Sequence, residues 1–243
     1  LRLRQSWDKE KAPPIKMDER LLRAFIGKLP FVPTGAQRKA AYQICKDLER
    51  TQPMNRLLNG DVGSGKTLVA AMAMLGVAKN GYQAALMAPT EVLARQHFES
   101  ISGLLARENV SVGLLTNAYQ LICNQRSSAI GRHQTKTGGG SPKDNDKNFQ
   151  HQKLSKKQIL EEIRIGKINI IIGTHALIQK DVAFRNLALV VVDEQHRFGV
   201  SQRAYLQQKI ETLSDGLPGR IPHLLSMTAT PIPRTLSLAF MGN

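Results

Sequence analysis

Cysteine is nearly absent. Cys45 and Cys123 are the only two in 243 residues, they lie far apart and they form no CxxC pair. This excludes a disulfide framework and fits a reducing cytoplasm. Acidic residues are also scarce, 19 against 34 Lys and Arg, which leaves a formal net charge of +15 and a pI near 10.1. Such a surplus favours a polyanionic partner, nucleic acid first. No apolar run approaches the roughly 18 residues of a membrane span, and the N-terminal stretch lacks the apolar core of a signal peptide. The six histidines are scattered without metal-ligand spacing and read as ordinary surface or core residues. The sequence Asn-Lys-x-Asp is missing as well, which excludes the usual guanine-reading loop. The chain starts on Leu1 and ends in "LAFMGN", which reads as a piece of a longer protein.

What is present is an ordinary apolar fraction, 42%, in a chain long enough for one large α/β domain. Residues 1–30 are charged, carry Pro13 and Pro14, and end in the short amphipathic pattern "DERLLRAFIGKLP". They read as a lead-in to a main domain at 31–243. In "TGAQRKAAYQICKDLER", Ala41, Ile44, Cys45 and Leu48 recur at helical spacing behind Thr34, a natural N-cap. "RLLN" then reads as a strand feeding a Gly-rich loop and a helix from Lys66 to Asn80, which Gly81 stops. Further strands ("AALMAP", "VSVGLLT", "INIIIGT", "LALVVVDE", "HLLSMTAT") follow, with the helices "EVLARQHFESISGLLARE" and "SKKQILEEIRIGK" between them. Strand runs that are apolar on both faces need cover on both sides. The expected fold is therefore α/β, a mostly parallel sheet with helices on both faces. One segment, 117–153, has no sustained period and a low-complexity middle, "TKTGGGSPKDNDKN". A loop this long is unusual inside a compact domain, so a mobile surface insertion is expected there.

Three stretches carry chemistry. "GDVGSGKT" (Gly60, Asp61, Val62, Gly63, Ser64, Gly65, Lys66, Thr67) fits the phosphate-loop pattern G-x-x-x-x-G-K-[ST]. Its glycines turn backbone N–H groups toward phosphates at a helix N-terminus, Lys66 reaches the β- and γ-phosphates, and Thr67 ligates Mg²⁺. "LVVVDEQH" ends an apolar strand in two carboxylates. Asp193 is expected to hold Mg²⁺ and Glu194 to orient and deprotonate the attacking water. "SMTATPIPRTL" sets Ser226, Thr228 and Thr230 at another strand end, where hydroxyls can relay the state of the γ-phosphate. Before the first long helix, Gln37 offers a donor and an acceptor in one plane, which suits an adenine edge, and Phe31 can cover its face. "APTEVLARQ" and "GTHALIQ" share a strand–Thr–helix form whose N-termini and hydroxyls can grip a sugar–phosphate backbone.

Taken in order, "GAQRKA", "GDVGSGKT", "MAPTE", "GTHALIQKD", "VVVDEQHRFGV" and "MTATPIPRTL" resemble the first RecA-like lobe of superfamily 2 helicases, over about residues 25–240 apart from the insertion. Within that superfamily the set is most similar to the fork-remodelling DNA helicases. The motor of the transcription-repair coupling factors is the nearest alternative; Ser64 and "DEQHRFGV" favour the former. The resemblance implies that Gln37 reads adenine and that Gln195 and His196, with Ser226, Thr228, Ala229 and Thr230, couple hydrolysis to DNA. It also implies that Pro89, Thr90, Gly173, Thr174 and His175 lie near the DNA track. The cofactors implied are ATP and Mg²⁺. The partners implied are branched DNA and, within the same longer chain, a second RecA-like lobe and a wedge domain, the whole acting as a monomer in the cytoplasm. Asn117 departs from the family, where a Gly-containing turn usually follows "LLT".

Overall fold

The computed structural model describes residues 11–123, 151–194 and 220–229. Eight strands form one sheet: β1 (Asn55–Asn59), β2 (Gln83–Met87), β3 (Val112–Leu115), β4 (Gln120–Cys123), β5 (His151–Lys153), β6 (Ile170–Gly173), β7 (Leu187–Asp193) and β8 (His223–Thr228). Their spatial order is β1-β8-β7-β2-β6-β3-β4-β5. From β1 to β3 every pairing is parallel; β4 and β5 add to the edge antiparallel. The sheet is thus mostly parallel, as its doubly apolar strand runs required.

The two faces sort by the period-2 rule of strands. Leu86, Leu114, Ile172, Leu189, Val191, Leu225 and Met227 enter one core. The intervening Met87, Leu115, Ile171, Val190, Val192 and Leu224 enter the other. The first core is covered by α1 (Glu19–Gly27), α2 (Gly35–Leu48), α3 (Lys66–Lys79) and α4 (Glu91–Leu104). The second is covered by α5 (Lys156–Arg164) and a 3₁₀ turn, His175–Ile178.

The helices begin where side chains can satisfy their orphan N–H groups. Thr34 caps α2 in a capping box with Gln37, as its position before the periodic stretch predicts, and Ser155 and Gln158 build the same box on α5. Thr90 caps α4. Helix α3 is buried from Leu68 to Ala78, so its cover comes from all sides rather than from an amphipathic stripe. It ends at Lys79 with Asn80 as C-cap, and Gly81 follows at φ 79°.

The described parts of the lead-in and of the segment 117–153 join the main body. The lead-in from Lys11 to Met17 is stitched to the main body by backbone bonds, Ala12 N–H to the Thr51 carbonyl, Ile15 N–H to that of Leu48, and Ile221 N–H to that of Lys11. Ile15 is fully buried, and Met17 packs against Gly76 of α3, where a Cβ would collide with its thioether. The lead-in shares the first core because its alternate apolar residues, Ile15 and Met17, are buried in it. The segment 117–153 is folded at both described ends: Gln120–Cys123 pairs with β3, and His151–Lys153 pairs with β4. Residues 124–150, the low-complexity middle, lie outside the described residues.

His223 and Gln83 are buried at the edge of the sheet where the strands begin. His223 is fully buried; its Nδ1 accepts the Met54 N–H at 3.0 Å and its Nε2–H donates to the Pro13 carbonyl at 2.9 Å. Gln83 donates to the carbonyls of Ile163 and Ile168 and accepts from the N–H groups of Arg185 and Asn186. No described helix is long and apolar enough to cross a membrane.

Candidate active site

The other edge of the sheet, where the parallel strands end, collects the residues singled out in sequence. Strand β8 lies between β1 and β7, and the registers set Asn59 beside Thr228 and Asp193 beside Met227. The loop from Gly60 to Gly65 leaves β1 here, with the Gly60 N–H donating to the Thr228 carbonyl at 3.3 Å. Gly63 and Gly65 take φ of 78° and 80°, the left-handed region that lets the loop curl and start α3. A Cβ at Gly65 would also strike the Gln37 amide. Lys66 is folded back on its own loop and donates to the carbonyls of Gly60 (2.6 Å) and Asp61 (2.9 Å). Gln37 is engaged within the protein at both ends of its amide: Oε1 accepts the Thr34 N–H and Nε2 donates to the Ser64 carbonyl, both at 2.8 Å. The start of α2 is thereby tied to the loop. Phe31 is exposed by 48% nearby in sequence.

Asp193 is buried at the end of β7, and its Oδ2 lies 2.7 Å from Nε2 of His97 on α4. Glu194 follows at φ 48°, a left-handed conformation uncommon for a residue with a side chain and costing on the order of 1 kcal/mol. Two bonds hold it there. Its N–H donates to the Met227 carbonyl at 2.9 Å, and its Oε1 accepts the Ala229 N–H at 3.0 Å. Ser226 and Thr228 are buried within β8. A divalent cation arriving with a nucleotide would meet oxygen donors here, the Thr67 hydroxyl and the Asp193 carboxylate. That donor set suits Mg²⁺, which takes few protein ligands and keeps water and phosphate oxygens. Among the described residues no group of three or more His, Cys, Asp or Glu side chains is arranged to hold a metal by itself.

The neighbouring strand ends carry the second set. Half-buried Pro89 and exposed Thr90 follow β2, and Gly173, Thr174 and exposed His175 follow β6. The Ala88 N–H donates to the Gly173 carbonyl at 2.8 Å and joins the two ends. Thr174 is buried with its hydroxyl unpartnered. Gly173 has a packing reason of its own: a Cβ there would run into the backbone carbonyl of Leu115 on β3. Gln195, His196 and Thr230 lie outside the described residues. Sequence reasoning missed His97. Its signal was a lone imidazole at the i+3 place of the inward stripe Ala94–Phe98–Ile101.

A phosphate loop, a strand-end Asp-Glu pair and a parallel sheet covered on both faces define a RecA-like nucleotide-dependent helicase lobe. The chain belongs to the DEAD/DEAH box helicase family, whose model matches residues 34–238. It is 44% identical to the ATP-dependent DNA helicase RecG of Aquifex aeolicus over 240 residues, 99% of this chain and 25% of that protein. It is also 44% identical to RecG of Bacillus subtilis over 225 residues, 93% of this chain and 27% of that protein. A solved structure of RecG bound to a three-way DNA junction matches with a TM-score of 0.71 at 37% identity, covering 99% of this chain and 27% of that one. The chain spans about a quarter of the length of these relatives.

Proposed function

We propose that this chain is the first motor lobe of an ATP-dependent DNA translocase that remodels branched DNA, such as stalled forks and four-way junctions. One observation carries the reading. The phosphate loop, Asp193–Glu194 and the Thr228–Ala229 strand end are hydrogen-bonded neighbours, on the same sheet edge as the ends of β2 and β6. Fuel and track would then act on adjoining strand ends of one rigid sheet. The net charge of +15 suits a polyanionic track, and the relative seen on a three-way junction suits a branched one.

In this reading Lys66 leaves the Gly60 and Asp61 carbonyls and turns to the β- and γ-phosphates, while loop N–H groups and the start of α3 face the phosphate oxygens. Gln37 gives up the Ser64 carbonyl to meet the adenine edge, and Phe31 covers the ring. Thr67 and Asp193 would hold Mg²⁺, which would neutralise charge on the phosphates. Glu194 orients the attacking water and takes its proton. Because Glu194 also holds the Ala229 N–H, a change at the phosphates reaches the end of β8; Gln195, His196, Ser226, Thr228, Ala229 and Thr230 form the coupling set. Pro89, Thr90, Gly173, Thr174 and His175 line the DNA track. A second RecA-like lobe and a wedge domain of the full-length chain complete the machine, which works as a monomer in the cytoplasm.

The test is Glu194→Gln in the full-length protein. ATP binding persists, and DNA-stimulated hydrolysis falls by about 10²–10⁴-fold, the usual contribution of a positioned base. Near-normal turnover in that variant would overturn the assignment.

A further inference from the structure

His97 lies outside every motif of the nucleotide site, yet it touches the carboxylate at that site's centre. We propose that His97 is a positioning residue that locks Asp193 and couples it to the DNA-facing end of α4. This rests on the functional reading above.

The geometry is specific. His97 Nε2 is 2.7 Å from Asp193 Oδ2, with the two side chains only 13% and 10% exposed. An ionised carboxylate can only accept, so the imidazole donates through Nε2–H. Oδ2 is engaged in this bond, which leaves Oδ1 as the oxygen without this partner, able to face a cation that would arrive with the nucleotide. The bond sets which carboxylate oxygen faces outward and at what angle.

The same helix carries the signal in the other direction. His97 sits seven residues beyond Thr90, about 10 Å along α4 at 1.5 Å per residue. Thr90 caps the helix by accepting the Leu93 N–H, and Ala94, Phe98 and Ile101 bury its inward face. A second contact joins this end to β3–β4: Glu91 Oε1 accepts the Ala118 N–H at 3.2 Å. A helix packed this closely moves as a body. A shift of its N-terminus when a DNA backbone docks at Pro89–Thr90 is delivered through His97 to Asp193.

The experiment uses the full-length protein with His97→Gln and His97→Asn. A Gln amide nitrogen reaches about where Nε2 lies, whereas the Asn amide stops one methylene short. Two quantities are read: the Mg²⁺ midpoint for binding a fluorescent ATP analogue at equilibrium, and the ratio of kcat with and without forked DNA. DNA affinity without nucleotide and the thermal midpoint serve as structural controls. For His97→Asn the Mg²⁺ midpoint rises several-fold and the stimulation ratio falls about tenfold, the scale of losing one charge-assisted hydrogen bond. His97→Gln recovers most of both. Wild-type values in His97→Asn overturn the proposal, as do equal losses in the two variants, which would mark His97 as a space-filler. If the wild-type protein shows no DNA stimulation, the functional reading fails, and an unchanged Mg²⁺ midpoint separately removes the hold of His97 on Asp193.

Discussion

Gly173 illustrates how one residue can answer to two demands. Its place at a strand end after "INIII" suggests contact with a ligand backbone, but the space at its Cα is already claimed by the Leu115 carbonyl. Any side chain must push β6 away from β3 or bend both. Gly173→Ala is therefore expected to cost about 2 kcal/mol, the usual scale of overpacking, and urea unfolding of the purified chain measures it. Stability equal to wild type would leave Gly173 with a ligand-facing role only. Gly65 is more constrained, because positive φ and the Gln37 amide act together. Gly65→Ala is expected to strain the left-handed turn and displace the Gln37 amide, and to weaken ATP binding by misaligning the loop N–H groups, which calorimetric titration against nucleotide reads directly.

Elements begin and end in this chain for reasons of unequal reach, and that decided what could be read in advance. The caps are local, so Thr34 and the Gly81 stop are visible in sequence. Strands β2, β6 and β7 are visible because burial on both faces leaves an unbroken apolar run. Strands β4 and β5 are four and three residues long, too short for a period to register, and each exists only through antiparallel pairing at the sheet edge. In the site, the loop and the Asp193–Glu194 pair were legible because their chemistry is written in consecutive residues. The His97–Asp193 bond was not, since its partners are 96 residues apart. The attachment of the lead-in was hidden in the same way: it rests on long-range bonds, one of them from His223 at the start of β8 to the Pro13 carbonyl. Burial pushes the His223 pKa below its ordinary value of 6.5, against smaller upward pulls from the Pro13 carbonyl and Asp47. Below about pH 6.5 the unfolded chain takes a proton at this position that the folded chain refuses. Stability then falls with falling pH until the folded state also protonates, by at most about 1.4 kcal/mol per pH unit from this group. Denaturation series at pH 7, 6 and 5 should show a shallower fall in His223→Gln; parallel slopes would remove His223 as the cause.

At the scale of the molecule, the described lobe carries a phosphate loop, a carboxylate pair and strand ends, all on one edge. In the proposed reading this lobe works against a second one that supplies a cation to the transferring phosphoryl, and loss of such a group typically lowers the rate by about 10³–10⁵-fold. Residues 1–243 alone are expected to bind ATP and to turn it over barely above background, with or without branched DNA. A steady-state assay beside the full-length protein decides this, and robust DNA-stimulated turnover by the isolated lobe would show that a single lobe is sufficient. Salt should matter as well. With +15 charges on the lobe, the affinity of the full-length protein for DNA is expected to fall steeply and linearly in log–log form between about 50 and 200 mM salt.

The stitched lead-in has a practical consequence for handling the molecule. Lys11 pairs with Arg220 ahead of β8, at the end of the sheet away from the phosphate loop. A load applied at Lys11 itself would enter the lobe at the edge away from the phosphate loop. It would be borne first by the Lys11–Ile221 and Ala12–Thr51 bonds, then by Pro13–His223 and Ile15–Leu48, before it reached the strand ends that carry the phosphate loop.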